Sequence, residues 1–242
     1  MNEKEEDFIS TVSHELRTPL TSIRGFSQTM LASWDKLDDN SKKKFLKIIE
    51  EQSNRLIHLV ENMLSVSKIK SQHYIYNNTD IVKSLEKVVS LVKTQYQNQN
   101  FKIKTVGKIP EAFVDVDKLE QVFVNLIENS AKYSVESNDT NILVIEDGNF
   151  VKIEISNQGP EIREEDYDKI FTKFSRLDNP LTRKVQGSGL GLYITKNIVE
   201  NMDGKISVKS ENNSNSKYSK ITFELFLPIK NIEEQARIKC NQ

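Results

Sequence analysis

The sequence predicts two modules of different class: an α-helical hairpin that pairs with a second copy as a dimeric four-helix bundle, then an α+β two-layer sandwich. Three observations predict it. Apolar residues recur at three- and four-residue spacing over 5–33 and again from about 41 to 66, which is helical period. The segment SQHYIYNNTD then shows no hydrophobic period and reads as a linker. Beyond it, helical stretches mix with runs that alternate every second residue, as strands do. The expected bounds are 1–71 for the hairpin, 72–80 for the linker, 81–229 for the sandwich and 230–242 for a C-terminal tail.

In the first helix Phe8, Val12, Leu16, Pro19, Leu20, Ile23, Phe26 and Met30 fall within about 60° of one direction at roughly 100° per residue. His14 points roughly 160° away from that stripe, Thr18 lies about one turn further on the same outward face, and Glu15 sits on the flank. Pro19 removes the amide that would bond the Glu15 carbonyl, so a kink is expected beside the histidine at a cost of ~3 kcal/mol. An outward histidine is ordinary on a solvated helix, but a proline placed beside it suggests a site. The polar break WDKLDDNS leads to a second helix from near Ser41, carrying Phe45, Ile48, Ile49, Leu56, Leu59, Met63 and Val66. Two such helices cover only half of their apolar surface, and a second copy completes the bundle.

The second module opens with a helix over about 80–98, a strand over 101–106 and a short strand over 112–116. A helix is expected from Lys118, capped by Asp117. NILVIEDGNFVKIEIS holds two alternating strands around Asp147-Gly148, a hairpin signal. A short helix near 163–171, a long loop, a helix over about 190–202 ending at Gly204, and strands over about 205–210 and 219–227 complete the pattern. Helices against a mostly antiparallel sheet define the α+β class.

Composition removes several functional classes. Thirty-four Lys and Arg against 35 Asp and Glu give a net charge of -1, which argues against nucleic acid as a partner. One cysteine, Cys240, with three histidines, excludes a disulfide framework and makes a zinc site improbable, so an intracellular, cytoplasmic setting is expected. No apolar run approaches about 18 residues and MNEKEEDF has no signal-peptide core, so no direct membrane contact is expected from these residues. An apolar stripe already in register at the first residues suggests a fragment with upstream modules missing.

Two stretches carry chemistry. In VFVNLIENSAKYS, Asn125, Asn129 and Lys132 stand at i, i+4 and i+7 with Tyr133 adjacent, while Val122, Leu126 and Ile127 supply buried positions. Amide oxygens can hold hydrated Mg2+ against phosphates and a lysine can neutralise a phosphoryl oxygen; a solvated polar stripe is the alternative. VQGSGLGLYITKNIVE places Gly187, Gly189 and Gly191 at the mouth of a helix, where bare amides attract phosphate. The loop before it carries Arg176, Arg183 and Lys184 and has the length of a lid.

In order and spacing, SHELRTPL, NLIENSAKY, SNQGPEI, FTKF and GSGLGL resemble the sensor histidine kinases of two-component signalling, over about residues 4–229. The chain looks like their dimerisation and phosphoacceptor hairpin followed by their ATP-binding domain. The resemblance implies that His14 is the phosphoacceptor, Glu15 its acid-base partner, and Thr18 a positioner of water when phosphate is removed from a response regulator receiver domain. It implies that Asn129, helped by Asn125, ligates Mg2+, and that Lys132 reaches the phosphates of ATP. Tyr133 would lie against the nucleotide, Arg176 and Arg183 would steady the γ-phosphate, and Gly187, Gly189, Leu190 and Gly191 would form the phosphate loop.

One motif departs from the family pattern. Where many members have Asp-x-Gly-x-Gly at the base-binding turn, this chain has Asn157-Gln158-Gly159-Pro160-Glu161. Asparagine can accept from the adenine amino group through its oxygen, so adenine selectivity is expected to survive. Glycine permits φ > 0 as well as close backbone approach, so losing the second glycine to Glu161 leads to an expected lower nucleotide affinity. Two further readings compete with the kinase: a phosphatase-dominant regulator with weak kinase activity, and a non-kinase ATP-dependent dimeric clamp. An outward His14-Glu15-x-x-Thr18 has no use in a clamp.

Overall fold

The computed structural model describes residues 3–68, 73–135, 139–175, 177, 188–212 and 217–229. Arg176, Arg183, Lys184, Gly187 and the expected tail over 230–242 lie outside the described residues. Contacts divide the chain into two units, Met1–Lys68 and Ile69–Gln242.

The first unit is the hairpin of α1 (Glu3–Ser33) and α2 (Asp39–Lys68). The helical pattern of α1 runs through Pro19, which is buried. Helix α2 starts at Asp39, ahead of the expected Ser41, because Asp38 caps it: the Ser41 amide donates to Asp38 Oδ1 at 2.9 Å and its hydroxyl to Oδ2 at 2.7 Å. These bonds, the Ser41 hydroxyl foremost, hold the Asp38 carboxyl below its ordinary value. Met30 and Leu59 are buried within the hairpin, and the rings of Phe26 and Phe45 meet at 5.2 Å. Leu20, which belongs to the expected apolar stripe, is half exposed, as are Ile57 and Leu64. Two helices alone cannot enclose a stripe this wide.

The second unit comprises β1 (Asn77–Thr79), α3 (Ile81–Gln95), β2 (Asn100–Val106), β3 (Ala112–Val114) and α4 (Val116–Tyr133), then β4 (Asp139–Asp147), β5 (Phe150–Gly159), α5 (Gly191–Asn201), β6 (Lys205–Asn212) and β7 (Ser219–Pro228). Five strands form one sheet in the order β2-β4-β5-β7-β6, with only β2 and β4 parallel. Helix α4 lies in the crossover between them, the connection a parallel pair requires. Val151, Ile153, Ile155 and Asn157 alternate inward on β5 and are buried, and α4 packs on β4 and β5 while α5 packs on β6. This sheet with helices along one face is the expected two-layer sandwich.

Several local expectations change. The cap of α4 is Asp115, whose carboxylate accepts from the Lys118 amide; Asp117 falls inside the first turn. Either aspartate satisfies the cap preference, and the end of β3 at Val114 decides between them. The helix expected near 163–171 is two single 3-10 turns, Glu164–Asp166 and Lys169–Phe171. Helix α5 ends at Asn201, and Asp203 with φ 56 turns the chain so that the Gly204 amide donates to the Val199 carbonyl.

The stretch expected as a linker contributes a strand: Asn77–Thr79 pairs antiparallel with Ala112–Val114. Tyr76 stacks between Tyr74 and Phe113, its hydroxyl donates to the Asn201 carbonyl at 2.6 Å, and the Ile75 amide donates to Asp115 Oδ2. Three residues are too few to show a period, so only the partner strand reveals this one. Among the described residues no helix is long and apolar enough to cross a membrane.

Candidate functional site

On the hairpin, His14 is exposed on the outward face of α1. The Glu15 carboxylate lies 3.4 Å from the guanidinium of Arg55 on α2. Thr18, also exposed, donates its hydroxyl to the His14 carbonyl at 3.3 Å. That bond spends the hydroxyl hydrogen and leaves the oxygen lone pairs outward. Ser13, Leu16, Arg17, Leu20, Thr21 and Arg24 line a shallow depression along the same helix.

In the second unit, α4 carries the two asparagines. Asn125 is committed: its Nδ2 donates to the Thr195 hydroxyl of α5 at 2.7 Å, and its oxygen lies against Gly191, where a Cβ would come within 2.3 Å of it. The Asn129 side chain, one turn on, is half-buried and makes no hydrogen bond among the described residues. Lys132 bonds Glu128 at 2.6 Å and sits beside the Tyr96 hydroxyl at the end of α3. Burial pulls its ammonium down, but Glu128 and Tyr96 outweigh that and hold it above its ordinary value. Burial pushes the Tyr96 phenol up. In this structure Lys132 thus faces Glu128 and Tyr96. Tyr133 is half-buried, and its carbonyl lies close to Gly159.

The glycine loop enters α5 at its N-terminus. Gly189 has φ +67, and a Cβ there would lie 2.7 Å from the backbone of Phe174, the last residue of FTKF. Two motifs distant in sequence therefore touch through a residue that must be glycine. Leu190 is buried, and its amide donates to the Ser188 hydroxyl.

The departing turn is unstrained. Off glycine, only Phe174 and Asp203 have positive φ among the described residues, so Glu161 occupies ordinary backbone, and its carboxylate accepts from Asn212 at 3.0 Å. Backbone strain at Glu161 is therefore removed as a ground for expecting weaker nucleotide binding. Asn157 is buried at the end of β5, and its Nδ2 donates to the Gln158 carbonyl. Thr140, opposite Asn157 in register, and Ser130 on α4 are buried with hydroxyl oxygens that find no partner among the described residues. Buried polar groups are normally paired, so these point to a ligand or ordered water.

Sequence reasoning missed Arg55 and Thr195. Nothing local marks Arg55, which meets Glu15 40 residues away. Thr195 stands four residues after Gly191, one turn along the same helix face, which is the one signal that could have singled it out.

Two family models match the chain: the His Kinase A (phospho-acceptor) domain over residues 4–72 and the histidine kinase-, DNA gyrase B- and HSP90-like ATPase over residues 114–231. The chain is similar to sensor histidine kinase WalK of Bacillus subtilis, 32% identical over 242 residues, covering 97% of this chain and 38% of that protein. It is likewise similar to sensor protein kinase WalK of Staphylococcus haemolyticus, 34% identical over 208 residues, covering 84% of this chain and 34% of that protein. The chain thus spans about a third of the length of these curated relatives. Among solved structures, Acinetobacter baumannii histidine kinase AdeS shares the fold with a TM-score of 0.67 at 24% identity, over 90% of this chain and 98% of that one. Histidine kinase ThkA, solved in complex with response regulator protein TrrA, superposes with a TM-score of 0.69 at 25% identity, over 93% of this chain and 61% of that one. The hairpin with its exposed His14 followed by Glu15, the layered second unit and these matches place the chain in one family: it belongs to the sensor histidine kinases of two-component signalling.

Proposed function

We propose that this chain uses ATP with Mg2+ to phosphorylate His14 and then passes the phosphoryl group to an aspartate on a response regulator receiver domain. The observation that carries the reading is the exposed His14 followed directly by a Glu15 carboxylate anchored to Arg55. Neutral imidazole attacks the γ-phosphorus with one nitrogen; the bond from phosphorus to the bridging oxygen breaks, and its electron pair leaves on ADP. Glu15 accepts the other ring N–H, fixing the tautomer and taking up the positive charge that develops. In the second transfer a receiver carboxylate oxygen attacks the same phosphorus, the N–P bond breaks and imidazole is restored.

The second unit binds the nucleotide. Its residues fit that role: an unengaged Asn129 amide, glycines where the loop backbone packs closely, and buried Ser130 and Thr140 hydroxyls with no partner among the described residues, Thr140 standing opposite Asn157. Asn129 would hold Mg2+ through its amide oxygen, because the Asn125 oxygen already faces Gly191. When bound, the ion neutralises charge on the phosphate oxygens. Asn157 and Gly159 meet the base, Tyr133 covers it, and Lys132 exchanges Glu128 for phosphate. Arg176 and Arg183 serve the γ-phosphate, and Gly187, Gly189, Leu190 and Gly191 surround the phosphates.

The hairpin over 1–71 acts as a homodimer, supported by the half-exposed Leu20, Ile57 and Leu64, which a second copy would cover. A cytoplasmic setting is supported by the ATP this reading requires, which the cytoplasm supplies. Relatives of which this chain spans only 38% and 34% support a sensor region beyond the residues given. Thr18 supports a second activity, removal of phosphate from the regulator, since its outward oxygen can orient water one turn from His14.

The test is incubation with γ-labelled ATP and Mg2+. Acid-labile, base-stable label is expected on the wild type and none on His14→Gln, with nucleotide binding retained by that variant. Undiminished label on His14→Gln would overturn the assignment.

A further inference from the structure

We propose that Thr195 is a positioning residue for the nucleotide site: it locks the Asn125 amide between α4 and α5 and so sets the glycine loop against Asn129. The inference rests on the ATP-binding reading above. Thr195 is 1% exposed, and its hydroxyl accepts the Asn125 Nδ2 hydrogen at 2.7 Å across 70 residues of sequence. The other end of the amide is held as well, since the Asn125 oxygen rests on Gly191 so closely that a Cβ would come within 2.3 Å. A flipped amide could still accept from the Thr195 hydroxyl, but it would set its NH2 against the glycine Cα, which offers no acceptor. The amide therefore has one orientation, with NH2 toward Thr195 and oxygen toward Gly191.

The consequence is geometric. Asn125 precedes Asn129 by one turn of α4, and Gly191 opens α5 directly after Gly189 and Leu190. The clasp fixes the distance between the helix that would carry the ion and the loop that would surround the phosphates. Such supporting residues act through the groups they orient, and their loss commonly lowers affinity about tenfold or more. A merely packed threonine would behave differently, because valine matches its volume and only the hydroxyl would be missing.

The test compares the full chain as wild type, Thr195→Val and Thr195→Ser. Calorimetric binding of a non-hydrolysable ATP analogue with Mg2+ is measured, together with melting temperature and hydrogen exchange without nucleotide. Thr195→Val should weaken analogue binding about tenfold. It should also speed exchange of the Ile194 amide, which bonds the Leu190 carbonyl in the first turn of α5. Thr195→Ser should stay within about twofold of wild type, because it keeps the hydroxyl. Wild-type binding and exchange in the valine variant, or a serine variant as weak as the valine one, would overturn the proposal. Should valine lower the melting temperature, Asn125→Ala and the double variant decide. A double variant that binds no more weakly than Asn125→Ala alone supports action through that amide, and additive losses overturn it. A wild type that binds no nucleotide would sink the ATP reading, while the exchange comparison would still judge the clasp.

Discussion

The Arg55 guanidinium holds the Glu15 carboxylate at 3.4 Å, with side-chain exposures of only 24% and 20%. The pair ties the helix of the exposed histidine to its antiparallel neighbour, one residue from His14. One carboxylate oxygen engages Arg55, which leaves the other to meet an imidazole N–H.

Arg55→Met should therefore slow labelling of His14 at saturating ATP by about tenfold, since misplacing an acid-base group forfeits part of its contribution. The ATP concentration giving half-maximal rate should not move, as the residues proposed to hold the nucleotide lie in the other unit. Arg55→Lys should recover part of the rate, keeping the charge without the planar fork. Labelling time courses over an ATP series check this, and a methionine variant as fast as wild type would reject it.

Asn129→Asp should impair Mg2+-dependent nucleotide binding and labelling more than binding of metal-free nucleotide, because the unengaged amide's proposed task is to hold the ion. Titrations with Mg2+ and with chelator give the comparison. Equal losses in both would assign Asn129 to the nucleotide itself.

Gly189→Ala meets two obstacles: a φ of +67 and a Cβ 2.7 Å from the Phe174 backbone. The left-handed conformation alone costs about 1–2 kcal/mol for an L side chain, and the clash forces FTKF and the loop apart. Nucleotide affinity should fall at least about tenfold, while the hairpin keeps its helical circular dichroism. Unchanged affinity would show that the loop tolerates a rearranged contact.

Glu224 yields a pH prediction. On β7 it stands opposite Glu154, and Lys152 bridges the two at 2.8 and 2.7 Å while Lys209 reaches Glu224 at 2.9 Å. Burial pushes the Glu224 carboxyl up, but the bonds from Lys152 and Lys209 outweigh it and leave the carboxyl below the ordinary 4.5. A depressed folded value means stabilisation that is complete above pH 4.5 and is lost as pH falls through the folded value. Glu224→Gln should cost about 2 kcal/mol at pH 7, or roughly 4–8 °C in melting temperature for a unit of this size. The gap from wild type should narrow below pH 4.5, and a gap independent of pH would assign the loss to packing.

The turn from Asn157 to Glu161 illustrates how sequence and structure divide the information. Replacing the second glycine by Glu161 suggests strain as long as the backbone angle is unknown. Ordinary φ at Glu161 and its bond to Asn212 remove that suggestion. The motif reading located the turn, and only coordinates settled its conformation, because φ depends on neighbours as well as residue type.

What the sequence by itself determined is periodic or local. The helical stripes of α1 and α2, the alternation in β4 and β5 about their turn, and the outward placement of His14 follow from spacings of a few residues. The aspartate caps are local too, although adjacent candidates at Asp115 and Asp117 required the end of β3 to choose between them. What only the tertiary structure decided are pairings between distant segments. Asn77–Thr79 is a strand because Ala112–Val114 lies beside it, Glu15 is anchored because Arg55 arrives across the hairpin, and Asn125 is locked because α5 brings Thr195 and Gly191 to it. Each is a short-range bond between residues far apart in sequence, and the chain encodes it only through the packing of whole elements.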